Sequence, residues 1–319
     1  MGTMKALVIG GNGFIGTHLV SLLQKEEIGV RVFDRYPSAF AEPSSSVEYV
    51  IGDLGNHGVL HEIVDGIDWV FHLAYTTLPK TSNDDPVYDI RSNLIDTVQL
   101  LEECRKGSPK KVLFISSGGT VYGAPQTTPI SETHPTEPIC SYGITKLAIE
   151  KYLHLFLHLD GLEYAVTRMS NPYGEGQNPN AKQGAIGVFL GRVARNEPIE
   201  IWGDGTVMRD YIYIEDAVKA LLAAAKYTPG LSDPRVFNIG SGQGQTLNHI
   251  VELIRDVAHK EVKVDYKEAR NLDVQANVLD NSLAKKYLDW KPTTDLKSGI
   301  ERSWKWIEKL DLAKRTAIK

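Results

Sequence analysis

Residues 5–16, KALVIGGNGFIG, run from a short apolar segment through a turn holding Gly10, Gly13 and Gly16 into a stretch of helical period. A strand that turns tightly on glycines and re-enters as a helix is the opening of a βαβ unit. Further apolar runs follow: VRVFD (30–34), VEYVIGD (47–53), DWVFHLA (68–74), KKVLFISS (110–117) and EYAVTRMSN (163–171). Stretches of helical period at 14–26, 86–106 and 141–159 fall between them. This alternation predicts an α/β fold, a Rossmann-type doubly wound parallel sheet with helices on both faces. Beyond residue 171 the rhythm loosens into Gly-, Pro- and Asn-rich chain. Helices are expected near 184–196, 215–227, 246–258 and 296–309, with strands at PIEIW, DYIYI and VFNIG. Residues 1–170 are read as a dinucleotide-binding domain. Residues 171–319 are read as mainly a smaller α/β substrate lobe, some of whose segments return to the sheet.

The glycines space as GxxGxxG, so Gly10, Asn12, Gly13, Phe14, Ile15 and Gly16 form a turn in which a pyrophosphate can approach backbone N–H groups at a helix N-terminus. Glycine triplets also mark ordinary turns, and context decides between the two. Asp34 ends the next strand about twenty residues on, where a carboxylate accepts from ribose hydroxyls and repels a 2′-phosphate. NAD is therefore expected rather than NADP, with Arg35 read as facing solvent.

A second motif follows the fifth strand. Ser116-Ser117-Gly118-Gly119-Thr120-Val121-Tyr122-Gly123 precedes Ser141-Tyr142-Gly143-Ile144-Thr145-Lys146, and Tyr142 and Lys146, four residues apart, share a helix face. Such pairs are common on exposed helices. The preceding glycine turn, acidic second strand and hydroxyl-rich fifth strand make this one a candidate catalytic dyad. Lowering a tyrosine from about 10 to about 7 requires about 4 kcal/mol of phenolate stabilisation. A neighbouring ammonium and an oxidised nicotinamide would provide it, with Ser117 and Thr120 reaching the same reacting oxygen.

Together these motifs resemble the extended short-chain dehydrogenase/reductase family, in particular its nucleotide-sugar 4-epimerases, over nearly the whole chain. The resemblance implies that Asp53 and Leu54 hold the adenine. It places Leu73, Ala74, Tyr75 and Ser116 beside the cofactor, while Asn93 braces the central helix. It assigns Asn171, Arg209, Arg270 and Asp273 to the diphosphate and nucleotide, and Asn277 to the sugar ring. His72 is read as a packed strand residue. Two departures stand out. The family usually has Ser or Thr where this chain has Gly118, so Ser117 or Thr120 must take that role. Asn277 stands where the family's ring selectivity is attributed to Tyr or a smaller residue, which implies room for an N-acetyl group. The resemblance further implies a homodimer in which helices 86–106 and 141–159 of two chains form a four-helix bundle.

Composition sets outer bounds. The chain has 319 residues, 42% hydrophobic, with net charge −5. This gives a large core and no overall basic field for nucleic acid. Cys104 and Cys140 are too few and too separated for a disulfide framework or a metal motif, and no metal is expected. No run reaches membrane-span length and no signal peptide is evident, so a cytoplasmic enzyme acting on a nucleotide sugar is expected. Rivals are a polyprenyl-diphosphate-linked N-acetylhexosamine as substrate, a one-way reductase or dehydrogenase, and a non-catalytic NAD-sensing module. The first would place Ala185, Ile186, Val188, Phe189 and Leu190 on an apolar rim in peripheral contact with membrane; the alternative is a core or dimer helix. A 4,6-dehydratase is disfavoured, since its Asp-Glu pair is replaced by Gly119-Thr120.

Overall fold

The computed structural model describes residues 4–39, 41–181, 183–269 and 274–310. From the N-terminus, β1 (Lys5–Ile9), α1 (Phe14–Lys25), β2 (Gly29–Asp34), β3 (Val47–Ile51), α2 (Leu60–Val64) and β4 (Trp69–His72) come first. A helical stretch follows, in which α3 (Pro86–Asp89) continues through a π-type segment, Ile90–Ile95, into α4 (Asp96–Lys106). Then come β5 (Lys111–Ser117), α5 (Ser141–Asp160) and β6 (Glu163–Met169). The remainder holds β7 (Asn171–Tyr173), α6 (Ala185–Ala194), β8 (Ile199–Trp202), β9 (Met208–Tyr213), α7 (Ile214–Lys226) and β10 (Val236–Ile239). It ends with β11 (Gly244–Thr246), α8 (Leu247–Ala258), β12 (Val264–Lys267), β13 (Ala276–Asn277), α9 (Ser282–Tyr287) and α10 (Leu296–Glu308).

Seven strands pair in parallel in the order β10-β6-β5-β4-β1-β2-β3. The order reverses between β1 and β4, and in such sheets ligands bind at the carboxyl ends of the strands beside that reversal. Both faces are covered, so the strands read as continuous apolar runs. Along β1, Leu7 and Ile9 pack with Leu100 and Ile149 on one face, while Ala6 and Val8 pack with Leu19 and Leu221 on the other. Strand periodicity thus assigns α4 and α5 to one layer and α1 and α7 to the other.

The chain after residue 171 is divided between two bodies. β10 extends the large sheet and α7 packs on α1, whereas β7, β9, β11 and β13 form a small separate sheet and β8 pairs with β12. Helix α6 packs on α8 and α10, with Ile186, Phe189 and Leu190 buried. The stretch considered as a lipid-facing rim is therefore lobe core, since its apolar stripe faces its neighbouring helices.

One buried carboxylate joins the two bodies. Asp216 in α7 accepts from Thr293 N (3.0 Å), Thr293 Oγ1 (2.8 Å) and Thr294 N (2.8 Å), and its backbone carbonyl accepts from Trp290 Nε1 (3.0 Å). Asp216→Ala removes the acceptor for two part-buried amides and a hydroxyl, and hydrogen bonds to charged groups contribute about 1.5–3 kcal/mol each. We expect a fall in unfolding free energy of about 3 kcal/mol, read from denaturant melts, with the segment after Tyr287 becoming protease-sensitive first.

Candidate active site

The glycine turn leaves β1 at the reversal point. Gly10 has φ +82°, and a Cβ there would lie 2.8 Å from Ala74 N; a Cβ on Gly16 would lie 2.2 Å from Gly10 O. Both positions accept only hydrogen. Gly13 is the N-cap of α1 and offers no side-chain acceptor, so the first N–H groups of that helix face the cavity without a cap. Gly13, Phe14 and Ile15 line a cavity of about 930 Å³, together with Gly10, Gly16 and Leu73. Asp34 shapes the turn from the side, accepting from Asn12 N at 2.9 Å and Arg35 N at 2.7 Å. A cradle that any Cβ would fill, an uncapped helix start and a carboxylate at the second strand's end fit a dinucleotide with free ribose hydroxyls.

Arg35 does not simply face solvent. Its guanidinium grips Asp53 through Nε–Oδ2 (2.8 Å) and Nη2–Oδ1 (3.0 Å), and Gly55 N also donates to Asp53 (2.9 Å). The ion pair engages the cation that a 2′-phosphate would need, which reinforces NAD over NADP. Asp53 and Leu54 stand outside the cavity wall, at the start of the loop after β3.

The start of α5 is held from below by Asp89, a fully buried carboxylate in α3. It accepts from Ser141 Oγ (2.7 Å), Thr145 Oγ1 (2.8 Å), Asn93 Nδ2 (3.0 Å) and Thr77 Oγ1. Above, Asn83 Oδ1 accepts from Ser141 N and Ser82 Oγ from Tyr142 N, satisfying two of the helix's orphan donors. Asn93 stands away from the cavity wall: its amide bridges Asp89 and Thr76 N (2.9 Å), bracing the loop after β4 against the π-type segment. Sequence reading missed Asp89, Ser82 and Asn83, because the groups they hold at the start of α5 lie 52 to 60 residues further along the chain.

On that helix Tyr142 lines the cavity, and Lys146 lies fully buried beneath it. Lys146 Nζ donates to Ile115 O at 2.6 Å and stands 4.1 Å from the Tyr75 ring centre, 4.6 Å from Phe114 and 5.6 Å from Tyr142. The Tyr75 and Tyr142 rings meet edge to face at 4.6 Å. Burial lowers Lys146 to about 7, against the raising effect of Glu150 and Asp89. Burial also pushes the Tyr142 phenol above its ordinary value, with Cys140 and Asp89 adding in the same direction. The expectation that the ammonium brings the phenol down is therefore corrected for the protein alone: desolvation outweighs a cation aimed at a carbonyl. His72 is buried, its Nε2 2.8 Å from Thr97 Oγ1, and burial lowers it to about 3, as suits a packed strand residue.

Ser117 and Thr120 both reach the cavity, and Thr120 Oγ1 is buried without a hydrogen-bond partner. Ser116 donates its hydroxyl to Glu150 (2.5 Å) instead. A Cβ on Gly118 would lie 2.5 Å from Leu279 Cδ1, so a hydroxyl-bearing side chain there would have to displace that leucine, and Asn277 Nδ2 donates to the glycine's carbonyl at 3.1 Å. The opposite wall carries Asn171, whose Nδ2 donates to Asp210 O (2.8 Å), and Arg209, held by the carbonyls of Met208 and Val274. Arg270 and Asp273 lie outside the described residues. Lys80, exposed at the cavity rim, and Cys140 are lining residues that no motif announced.

A lysine whose folded-state value is depressed binds fewer protons than it does unfolded, so its linked stability grows as pH rises from about 7 toward the unfolded value near 10.5. Lys146→Met is expected to melt above the wild-type apoprotein at pH 7, with the gap narrowing by pH 9.5. A gap independent of pH in thermal melts would show that the ammonium is not desolvated as described.

The model of the NAD dependent epimerase/dehydratase family matches residues 6–240. The chain is 34% identical over 304 residues to a putative UDP-glucose 4-epimerase of Methanocaldococcus jannaschii, covering 95% of this chain and 98% of that one. It is 35% identical over 310 residues to a dTDP-4-dehydro-6-deoxyglucose reductase of Escherichia coli, covering 94% of this chain and 96% of that one. The crystal structure of a UDP-glucose 4-epimerase with UDP-glucose from Thermotoga maritima superposes with TM-score 0.91 at 35% identity, covering 96% of this chain and 99% of that one. With a cradle for the dinucleotide and the tyrosine–lysine helix on one cavity, this chain belongs to the NAD dependent epimerase/dehydratase family.

Proposed function

We propose that the protein is an NAD-dependent 4-epimerase of a UDP-hexose or UDP-N-acetylhexosamine. The observation that carries this reading is the meeting, on one cavity, of the glycine turn, the Tyr142 phenol with the Ser117 and Thr120 hydroxyls, and the Asn171–Arg209 wall. NAD, when bound, supplies the acceptor and then the donor of the C4 hydride, so the sugar passes through a 4-keto form. Tyr142 accepts the C4 hydroxyl proton and returns it, and its raised affinity for that proton makes the positive charge of a bound nicotinamide part of its activation. Thr120 Oγ1, which has no hydrogen-bond partner among the described residues, steadies the reacting oxygen with Ser117. Asn171 and Arg209 hold the diphosphate end.

Asn277 supports the acetamido sugar. It lines the cavity, one side of its amide is committed to Gly118 O, and Oδ1 is buried without a partner, an acceptor suited to an N–H donor. Purified protein with NAD and UDP-GlcNAc, followed by anomeric proton NMR, is expected to yield the galacto isomer without net NADH, and Tyr142→Phe to lose at least about 100-fold in rate. Asn277→Tyr is expected to lose UDP-GlcNAc turnover while keeping UDP-Glc. Turnover of neither sugar by a folded, NAD-binding protein would refute the nucleotide-sugar reading, and sustained NAD(P)H consumption would establish a reductase.

The homodimer expected from the resemblance is supported by the outer faces of α3 to α5. Val87, Ile95, Ile144, Leu155 and Leu159 are between 42% and 62% exposed, too many large apolar side chains on adjoining helices for a solvated face. Among the described residues no helix is long and apolar enough to cross a membrane. Light scattering is expected to give twice the chain mass of 35.4 kDa, and Leu159→Glu with Ile144→Glu to give one.

A further inference from the structure

Beneath the catalytic strand lies a charged pair that the chemistry above does not use. Glu150 in α5 and Arg168 in β6 are 4% and 5% exposed, and they meet as a fork: Nη2–Oε2 2.7 Å and Nε–Oε1 3.1 Å. Each partner also reaches beyond the fork, Arg168 Nη1 to Glu132 O (3.4 Å) among others. Glu150 Oε1 accepts from Ser116 Oγ (2.5 Å), and Arg168 Nη1 donates to Tyr122 OH (3.0 Å) with the guanidinium 4.9 Å from that ring centre. Tyr122 OH in turn donates to Asn238 Oδ1 (2.6 Å) in β10.

Ser116 immediately precedes Ser117, and Tyr122 follows Thr120 by two residues. The pair therefore grips the turn bearing the two candidate hydroxyls at both of its ends. It does so from α5, the helix that carries Lys146 and Tyr142 one and two turns earlier on the same face. Lys146 adds a third tie, from the same helix to Ile115 O in the same strand. Replacing a buried ion pair by apolar residues of similar volume is often neutral or stabilising, so stability alone is a weak reason for its presence here. What an apolar pair cannot do is fix a hydroxyl at each end of a turn.

We propose that Glu150 and Arg168 are positioning residues for the reaction, holding the Ser117–Thr120 turn at a set distance from the Tyr142–Lys146 helix through Ser116 and Tyr122. The assignment rests on the reading of Tyr142, Ser117 and Thr120 given under the proposed function, and the substrate class is that same nucleotide sugar. Neither residue touches cofactor or sugar. Their loss acts on the rate of the chemical step and leaves affinity alone. Charge without the fork does not suffice, because a lysine at position 168 reaches Glu150 as a point charge and cannot hold Tyr122 as well.

The test compares wild type with Arg168→Lys and with the apolar double variant Glu150→Met plus Arg168→Met, scored per folded, NAD-loaded site. Both are expected to lose about 10- to 100-fold in kcat, the effect of about an ångström of misplacement, with KM for UDP-GlcNAc or UDP-Glc and Kd for NAD within about twofold. A second readout is independent of turnover. Hydrogen exchange followed by mass spectrometry should show faster exchange of the peptide containing residues 117–123 in both variants, with that of β5 residues 111–115 unchanged. If the wild type turns over neither sugar, the proposed function fails, and the exchange data still decide whether the pair holds the turn. Unchanged exchange overturns the proposal. So does an unchanged kcat per loaded site, or a rate loss that merely follows lost NAD occupancy or lost folded protein.

Discussion

A fully buried ammonium sets the terms for the centre of this molecule. Lys146 Nζ is out of water with one short hydrogen bond to a carbonyl and aromatic faces around it, and no carboxylate in direct contact. An isolated buried cation is costly, so its surroundings must be arranged closely enough to hold a charge that is easily lost. The carbonyl belongs to Ile115 in β5, and the nearest ring to Tyr75 in the loop after β4. Docking this side chain therefore fixes helix α5 against two central strands at once, at the carboxyl edge where the sheet order reverses. The cavity, the dinucleotide turn and the hydroxyl-bearing segment all meet at that edge.

Buried carboxylates surround the cation at one remove. Asp89 collects three hydroxyls and an amide at the base of α5, and Glu150 lies a turn beyond Lys146 in its fork with Arg168. Both raise the affinity of Lys146 for its proton against the dominant effect of burial, which leaves it near neutrality. The phenol is treated differently: burial and Asp89 both oppose its ionisation. The chain's own groups thus keep Tyr142 protonated, and a cation bound beside it has the greatest leverage on its charge. Such an arrangement ties proton abstraction to the oxidised cofactor and leaves the empty protein without an exposed phenolate.

The layers and the parallel character of the large sheet were legible because buried parallel strands are long apolar runs, and the helices between them have clean 3.6-residue period. The helices expected at 86–106 and 141–159 correspond to α3 through α4 and to α5. The small elements were not legible. Strands β7, β11 and β13 span two or three residues each, too few for alternation to show, and α2 and α9 are one to two turns long. The cofactor turn and the tyrosine–lysine pair were legible because their chemistry fixes a local spacing. Asp89 and the Glu150–Arg168 pair were not, because the hydroxyls that Asp89 collects lie 12 to 56 residues away along the chain and the pair's partners 18 to 46. Gly118 shows the same limit in another form: its missing hydroxyl was visible in the sequence, and the Leu279 side chain that occupies the space a Cβ would need comes from a segment more than a hundred residues distant.

The unpartnered polar atoms give an independent account of where the molecule is unfinished. Six buried side-chain atoms among the described residues have no hydrogen-bond partner, and those of Thr120, Ser170, Gln177 and Asn277 belong to residues that line the one cavity. Leaving such an atom unmatched costs about 1–3 kcal/mol, so a chance concentration of four at one site would be a heavy and avoidable load on the fold. They come from the turn after β5, the end of β6, the Gly- and Asn-rich loop beyond β7 and strand β13, so no local distortion can account for them together. A polar ligand that meets all four would recover that free energy on binding. A set so dispersed around the wall grips a ligand at several separate points rather than at one, and it leaves the Tyr142 edge to chemistry.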